Sequence, residues 1–150
     1  MTNQDKTVLV TGGSGFIATH CILKLAAAGY KIKSTVRNLD RVSDLNKILD
    51  EAGSTYERLN KIDVDWVSAD LTKDEGWSEA VKGCDYVMHV ASPVALEEPK
   101  DENDLIVPAR EGTLRVIKAA NEEGVKKIVL TSSAVSYTHI RAHETATYRV

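Results

Sequence analysis

The feature that most constrains this chain is a cluster of three glycines between a strand-like segment and a helical one. Residues 11–18 are Thr-Gly-Gly-Ser-Gly-Phe-Ile-Ala, and they follow the β-branched segment 6–11. The spacing fits either Gly13-x-Gly15-x-x-Ala18 or Gly12-x-x-Gly15-x-x-Ala18, and both supply residues without bulk for a tight turn. A strand, a glycine turn and a helix in this order predict an α/β fold.

The rest of the chain alternates between short β-branched runs and longer helical patterns. Strands are predicted at 6–11, 31–36, 62–69, 85–91 and 127–131, and helices at about 16–29, 40–51, 74–82 and 102–122. Right-handed crossovers then give a doubly wound parallel sheet, Rossmann-like, with strand order 3-2-1-4-5 and truncated after strand five. Pro108 predicts a kink or a late start in the fourth helix. The ligand crevice is expected at the carboxyl ends of strands one and four.

Composition excludes several classes of function. The 150 residues suit one domain, and a net charge of −3 provides no general attraction to nucleic acid or to an anionic membrane surface. No apolar run reaches the roughly 20 residues of a membrane span. Residues 1–6 are not followed by the apolar core of a signal peptide, so secretion is not expected. Cys21 and Cys84 lack zinc or disulfide spacing, so both are expected to be buried thiols in a cytoplasmic protein.

The glycine turn is a candidate phosphate site. Amides at the helix start, from about Gly15 through Phe16 to Ile17, are expected to point at a pyrophosphate, while Gly12 allows the close approach of backbone and ligand. The alternative is a glycine turn without a ligand.

Strand two ends in residues that bear on the choice of dinucleotide. An acid here would hydrogen-bond the ribose 2′-hydroxyl of NAD, but the chain has Arg37, with Arg41 one helical turn later. A guanidinium suits a 2′-phosphate, which favours NADP(H) over NAD(H). Asp40 keeps NAD(H) open, and the alternative is that both arginines are solvated loop charges.

Two further segments follow strand ends at the expected crevice. Asp70 can accept a hydrogen bond from an adenine amine while Leu71 packs on the ring; alternatively, Asp70 caps the next helix with Thr72. Ala91 and Ser92 are small enough for a cofactor to pass close to the chain, or they belong to an ordinary turn.

With these motifs placed, residues 5–134 resemble the extended short-chain dehydrogenases/reductases, of the NAD-dependent epimerase/dehydratase type. Within them the chain is similar to the dihydroflavonol, cinnamoyl-CoA and methylglyoxal/aldehyde reductases. Besides the glycine turn, the matching segments are Thr-Val-Arg at 35–37, Asp-Leu at 70–71, His-Val-Ala-Ser-Pro at 89–93, Asp-Leu-Ile-Val-Pro at 104–108, Gly-Thr at 112–113 and Lys-Ile-Val-Leu-Thr-Ser-Ser-Ala at 127–134.

The resemblance implies an oxidoreductase that reduces an aldehyde or ketone with hydride from NADPH. It places the family's catalytic serine at Ser133, which would hydrogen-bond the substrate carbonyl beside a Tyr and a Lys. The implied partner is a small-molecule carbonyl compound, and the full-length form is expected to be a monomer or a homodimer. The alternatives are a fragment of an NAD-dependent sugar-nucleotide epimerase or dehydratase, and a dinucleotide-binding protein without turnover.

The chain departs from the family after Ala134. None of its five tyrosines is followed by a lysine four residues on, so no Tyr-x-x-x-Lys exists. Residues 1–134 are therefore expected to be the cofactor-binding part of a larger reductase, inactive without the rest. Residues 135–150 look like a translated sequencing adapter joined to a truncated gene. The alternative, a metal site at His139 and His143, lacks an evident third ligand, and no metal is expected.

Overall fold

The computed structural model describes residues 3–57, 59–93, 101 and 103–132. Its strands are β1 (Thr7–Val10), β2 (Lys31–Val36), β3 (Val64–Ser68), β4 (Tyr86–His89) and β5 (Lys127–Leu130). Its α-helices are α1 (Phe16–Ala27), α2 (Val42–Ala52), α3 (Trp77–Val81) and α4 (Asn103–Glu122). Short 3-10 turns occupy Asn3–Asp5 and Leu39–Arg41, and one π-helical turn follows α2 at Gly53–Glu57.

All strand pairs are parallel, and the order β3-β2-β1-β4-β5 confirms the predicted doubly wound sheet. Strand β1 lies at the centre, where Val10 pairs with Ser34 of β2 on one side and with Met88 of β4 on the other. The carboxyl ends of β1, β2 and β4 therefore lie side by side, which is the arrangement that a crevice at this edge requires.

Alternate residues of β1 face two separate apolar cores. Leu9 packs with Trp77, Val87 and other side chains in the layer of α3 and α4. Val10 packs with Ile22, Ile32 and Leu49 in the layer of α1 and α2. Burial on both faces explains why the central strands are so apolar.

The two cysteines differ in exposure. Cys84 is buried, as expected, and burial raises the pKa of its thiol to about 11, whereas Cys21 is only half-buried. Both thiols are free.

Helix boundaries follow the expected signals with two differences. α1 stops before Gly29, whose φ of +81° suits the left-handed position after a helix. α3 is shorter than expected, because Gly76, with φ of +86°, delays its start to Trp77. α4 begins at Asn103 and contains Pro108, so the late start allowed for in the sequence is wrong. The proline lies near the helix start, where it removes a single backbone hydrogen bond.

Strand β5 is an edge of the sheet within the described residues, with β4 as its neighbour. Val129 and Leu130 are about half exposed, and so are Leu114 and Ile117 on α4. Among the helices that the structure describes, none combines the length and the apolar content of a membrane span.

Candidate functional site

A cleft of about 790 Å³ opens at the carboxyl edge of the sheet. Its walls come from the turn after β1, the end of β2, and the segments that follow β3, β4 and β5. Nine of the residues predicted from the sequence line it: Gly12, Gly15, Phe16, Ile17, Arg37, Asp70, Leu71, Ala91 and Ser92. Residues distant in sequence are thus brought together at the predicted crevice.

The glycine turn is held in place by Thr35 at the end of β2. The amide of Gly12 donates to Thr35 Oγ1 at 3.0 Å, and the amide of Gly13 donates to the Thr35 carbonyl at 2.8 Å. Gly12 has a φ of +73°, a conformation that favours glycine. Thr35 is buried and lines the cleft, yet the sequence singled it out only as part of a family motif.

The structure separates the two glycine patterns. Gly13 is buried against the sheet, where an added Cβ would lie 2.6 Å from the Trp66 ring and still closer to the Ser34 hydroxyl. Gly12 and Gly15 line the cleft instead. The spacing Gly12-x-x-Gly15-x-x-Ala18 therefore describes the cleft, while Gly13 serves the packing of the turn on β2 and β3.

The start of α1 offers unused hydrogen-bond donors to the cleft. Gly15 is the N-cap and supplies no side-chain cap. In the described part of the chain, the amides of Phe16 and Ile17 donate to no protein acceptor. Phe16 is 80% exposed at this helix start. Free amides at the positive end of a helix dipole suit an anion such as a pyrophosphate.

The two arginines after β2 occupy different positions. Arg37 is exposed and lines the cleft, and its guanidinium makes no salt bridge among the described residues. Arg41 ends the 3-10 turn Leu39–Arg41, is exposed, and is not part of the cleft wall. Only Arg37 is thus placed to meet a ligand in the cleft directly.

Asp70 closes a local turn and keeps one oxygen available. Its Oδ1 accepts hydrogen bonds from the Thr72 amide at 2.9 Å and the Thr72 hydroxyl at 2.8 Å. The Thr72 amide, chiefly, and the positive charge of Arg37, less strongly, lower the pKa of Asp70. Because α3 begins only at Trp77, Asp70 does not cap that helix. Its Oδ2 has no partner among the described residues.

Three residues that the sequence did not single out for the site support this loop, although Gly112 belongs to one of the matching family segments. Trp77 is buried, lines the cleft, and donates from Nε1 to the carbonyls of Asp70 and Lys73, each at 3.1 Å. Arg115 of α4 donates to the Leu71 carbonyl at 3.0 Å and pairs with Asp74. Gly112 lets α4 approach, since a Cβ there would lie 2.8 Å from that of Leu71. The contacts that Arg115 and Gly112 make with Leu71 join positions far apart along the chain, so they leave no local pattern in the sequence.

The wall after β4 is held by Thr11. Its Oγ1 accepts from the amides of Val90 and Ala91, both at 3.0 Å, and lies 2.8 Å from Nδ1 of His89. An added Cβ at Gly12 would lie 3.0 Å from that of Ala91, so the glycine turn and the segment after β4 lie close together.

Ser133, the predicted catalytic residue, lies outside the described residues, as do His139 and His143. Its neighbours Thr131 and Ser132 line the cleft, and the Thr131 amide donates to the His89 carbonyl at 3.0 Å. Within the residues that the structure describes, no group of three or more His, Cys, Asp or Glu side chains is arranged to hold a metal.

The chain is 42% identical over 137 residues to a dihydroflavonol 4-reductase of Hordeum vulgare, covering 91% of this chain and 37% of that one. It is 37% identical over 134 residues to a (2S)-flavan-3-ol-forming anthocyanidin reductase of Vitis vinifera, covering 89% and 38%. The chain therefore spans little more than a third of these relatives.

Solved structures agree with the fold. Gre2 of Candida albicans in complex with NADPH superposes with a TM-score of 0.70 at 27% identity, covering 85% of this chain and 37% of that one. UDP-glucose 4-epimerase of Bifidobacterium longum in complex with NAD+ and UDP superposes with a TM-score of 0.68 at 27% sequence identity. The match covers 89% of this chain and 38% of the epimerase. The model of the 3-beta hydroxysteroid dehydrogenase/isomerase family matches residues 9–148. These matches confirm the resemblance to extended short-chain dehydrogenases/reductases, and the chain belongs to the 3-beta hydroxysteroid dehydrogenase/isomerase family.

Proposed function

We propose that this chain is the cofactor-binding part of an NADPH-dependent reductase of aldehydes or ketones. The observation that carries the proposal is that one cleft contains both the amides at the start of α1 and the guanidinium of Arg37, none of which is paired within the described residues. The amides suit a pyrophosphate, and the guanidinium suits a 2′-phosphate. The reductases among the relatives support the same activity.

Each wall of the cleft has a separate role in this proposal. The amides of Phe16 and Ile17, beside Gly12 and Gly15, would hold the diphosphate, while Arg37 would hold the 2′-phosphate. Asp70 would accept from the adenine amine through Oδ2, and Leu71 would pack on the ring. Arg41 would add a more distant positive charge.

The remaining residues would line the reacting end. Ala91 and Ser92 would let the ligand pass close to β4, and Ser133 would hydrogen-bond the substrate carbonyl oxygen. When bound, NADPH supplies the hydride; the chain supplies position and hydrogen bonds.

We propose a boundary at residue 134, with residues 1–134 as the dinucleotide-binding domain and 135–150 as a segment outside it. This chain lacks the Tyr-x-x-x-Lys pair and should bind NADPH without reducing carbonyl compounds at a useful rate, because general acid catalysis typically contributes about 10²–10⁴-fold. Loss of NADPH absorbance with a panel of aldehydes and ketones measures this, and rapid turnover would contradict it.

The decisive test of the cofactor is the Arg37→Ala variant. One charge-assisted hydrogen bond is worth about 1.5–3 kcal/mol, so NADPH affinity should fall roughly tenfold to a hundredfold, while NADH affinity stays nearly unchanged. Calorimetric titration with both cofactors provides the measurement. Arg110→Ala, an exposed arginine on α4 paired with Glu111, is the matched control and should change neither affinity. Arg41→Ala should weaken NADPH binding less than Arg37→Ala. Equal losses for the two cofactors would contradict the proposal.

A second candidate is part of an NAD-dependent sugar-nucleotide epimerase or dehydratase, which the likeness to the epimerase structure favours. That function requires tight NAD+ binding that does not depend on Arg37. The same titrations therefore distinguish the two candidates.

A further inference from the structure

A chain of polar side chains behind the cleft joins the residue after β1 to β4 and α4. His89, at the end of β4, is only 2% exposed, and Thr11 is completely buried. The His89 ring lies between two hydroxyls, with Nδ1 2.8 Å from Thr11 Oγ1 and Nε2 3.3 Å from Thr113 Oγ1. Neither ring nitrogen is free to act on a ligand, because each faces a hydroxyl of the protein.

The hydrogen bonds around Thr11 determine where the protons lie. A hydroxyl has two acceptor positions and one proton to donate. The amides of Val90 and Ala91 occupy both acceptor positions of Thr11 Oγ1, so its proton must point to Nδ1 of His89. Nδ1 is therefore an unprotonated acceptor, and the ring proton lies on Nε2, where it is donated to Thr113. A charged ring would place a second proton between Nδ1 and Thr11 and break this pattern.

This arrangement controls the position of one cleft wall. The two amides that Thr11 holds belong to the first residues after β4, and Ala91 packs against Gly12 in the glycine turn. If the Thr11 hydroxyl rotated to find another acceptor, it would lose at least one of these amides. The loop after β4 and the glycine turn would then no longer be held together.

We propose that His89 is a positioning residue for the dinucleotide: as a neutral ring protonated at Nε2, it orients the Thr11 hydroxyl, which holds Val90 and Ala91 against the glycine turn. The inference rests on the proposed function only where it concerns cofactor affinity. Burial also lowers the pKa of His89, which favours the neutral ring that this arrangement needs.

The test compares His89→Leu with His89→Asn in the whole chain. Leucine removes the acceptor, and NADPH affinity should fall roughly tenfold, the effect of one lost buried hydrogen bond. Asparagine can present Oδ1 near the position of Nδ1, so it should keep affinity within about threefold of the starting protein. Thr11→Val should lower NADPH affinity at least as much as His89→Leu does. Val87→Ala is the control: it lies buried in the same strand and makes no side-chain hydrogen bond, so it should destabilise the fold without changing affinity.

Two measurements without cofactor separate this inference from the proposed function. Long-range proton–nitrogen correlation spectra should show His89 as the Nε2–H tautomer, and amide exchange at Val90 and Ala91 should accelerate in His89→Leu and recover in His89→Asn. If the starting protein fails to bind NADPH, the proposed function is wrong. The tautomer of His89 and the amide exchange rates of Val90 and Ala91 still show whether His89 positions this loop. An Nδ1–H or charged ring, equal effects of leucine and asparagine, or the same acceleration in Val87→Ala would overturn the inference.

Discussion

Charged side chains at the two edges of the parallel sheet differ in how far they are paired with other protein groups within the described residues. At the amino edge, Asp85 accepts from Lys126 Nζ at 2.5 Å, Lys6 Nζ at 3.3 Å and the Thr7 amide at 3.1 Å. At the carboxyl edge, Arg37 has no ion-pair partner and Oδ2 of Asp70 no hydrogen-bond partner within the described residues. Charges at one edge join strands to each other, whereas charges at the other are available to a ligand.

The difference follows from the direction of the strands. Each strand of a parallel sheet delivers its last residues to the same edge, so five separate segments can contribute to one cleft there. At the amino edge the chain comes back from each helix to start the next strand. The polar contacts of Asp85 there join the starts of β1, β4 and β5. Stability and binding can therefore be changed separately at the two edges.

The largest expected effect comes from a matched pair of glycines at the two edges. Gly12 and Gly83 both have positive φ, but an added Cβ at Gly12 would lie 3.0 Å from that of Ala91, whereas at Gly83 it would meet nothing within 4 Å. The left-handed conformation costs an alanine about 1–2 kcal/mol, and overpacking adds about 1–3 kcal/mol. Gly12→Ala should therefore lower the free energy of unfolding by about 2–5 kcal/mol and Gly83→Ala by about 1–2 kcal/mol.

Urea unfolding measures these changes. NADPH titration should show lost affinity in Gly12→Ala alone. Equal stability losses in the two variants would mean that the two edges pack alike.

An intermediate effect is expected from the acid dependence of stability. Hydrogen bonds from Lys126 first, and then from the Thr7 amide, lower the pKa of Asp85 to about 2. Its ordinary value is about 4, so its stabilisation is complete above that pH and is lost as pH falls through about 2. Asp85→Asn should lower stability at neutral pH and flatten the decline between about pH 4 and 2.

The comparison residue at the other edge is Asp70. Its pKa is lowered mainly by the Thr72 amide, which an asparagine oxygen can still accept. Asp70→Asn should therefore change acid stability less than Asp85→Asn. Unfolding curves recorded between about pH 4 and 2 measure the stability of both variants and of the starting protein. A decline in stability with falling pH that is steeper in Asp85→Asn than in the starting protein would contradict the expectation.

The smallest expected effect concerns the edge strand β5. Val129 is 48% exposed there, and an apolar strand that has no outer neighbour within the described residues favours association of chains. Val129→Lys should shift elution in size-exclusion chromatography toward the monomer without changing the fold. Ile48→Lys, on the equally exposed α2 surface, is the control and should leave elution unchanged. A starting protein that is already monomeric at high concentration would contradict the expectation.

Most of the fold was predictable because its signals are local. The glycine turn, the periodicity of the helices and the β-branched runs lie within short segments, and the handedness of crossovers converts their order into a sheet. The parts of the fold that were predicted wrongly are also local. At α3 the left-handed conformation of Gly76 delays the helix start, and in α4 Pro108 lies early enough in the helix to cost only one backbone hydrogen bond.

By itself, the sequence determined the sheet order and the residues at the strand ends that line the cleft, because a parallel sheet brings the ends of its strands to one edge. Only the tertiary structure decided which glycines face the cleft, since Ser34 and Trp66 leave no room beside Gly13. It alone revealed Thr35, Trp77 and His89 as supports of the cleft. Apart from Lys73, which lies 4 residues from Trp77, their partners lie 7 to 78 residues away along the chain. A hydrogen bond over such separations is made only when folding brings donor and acceptor together.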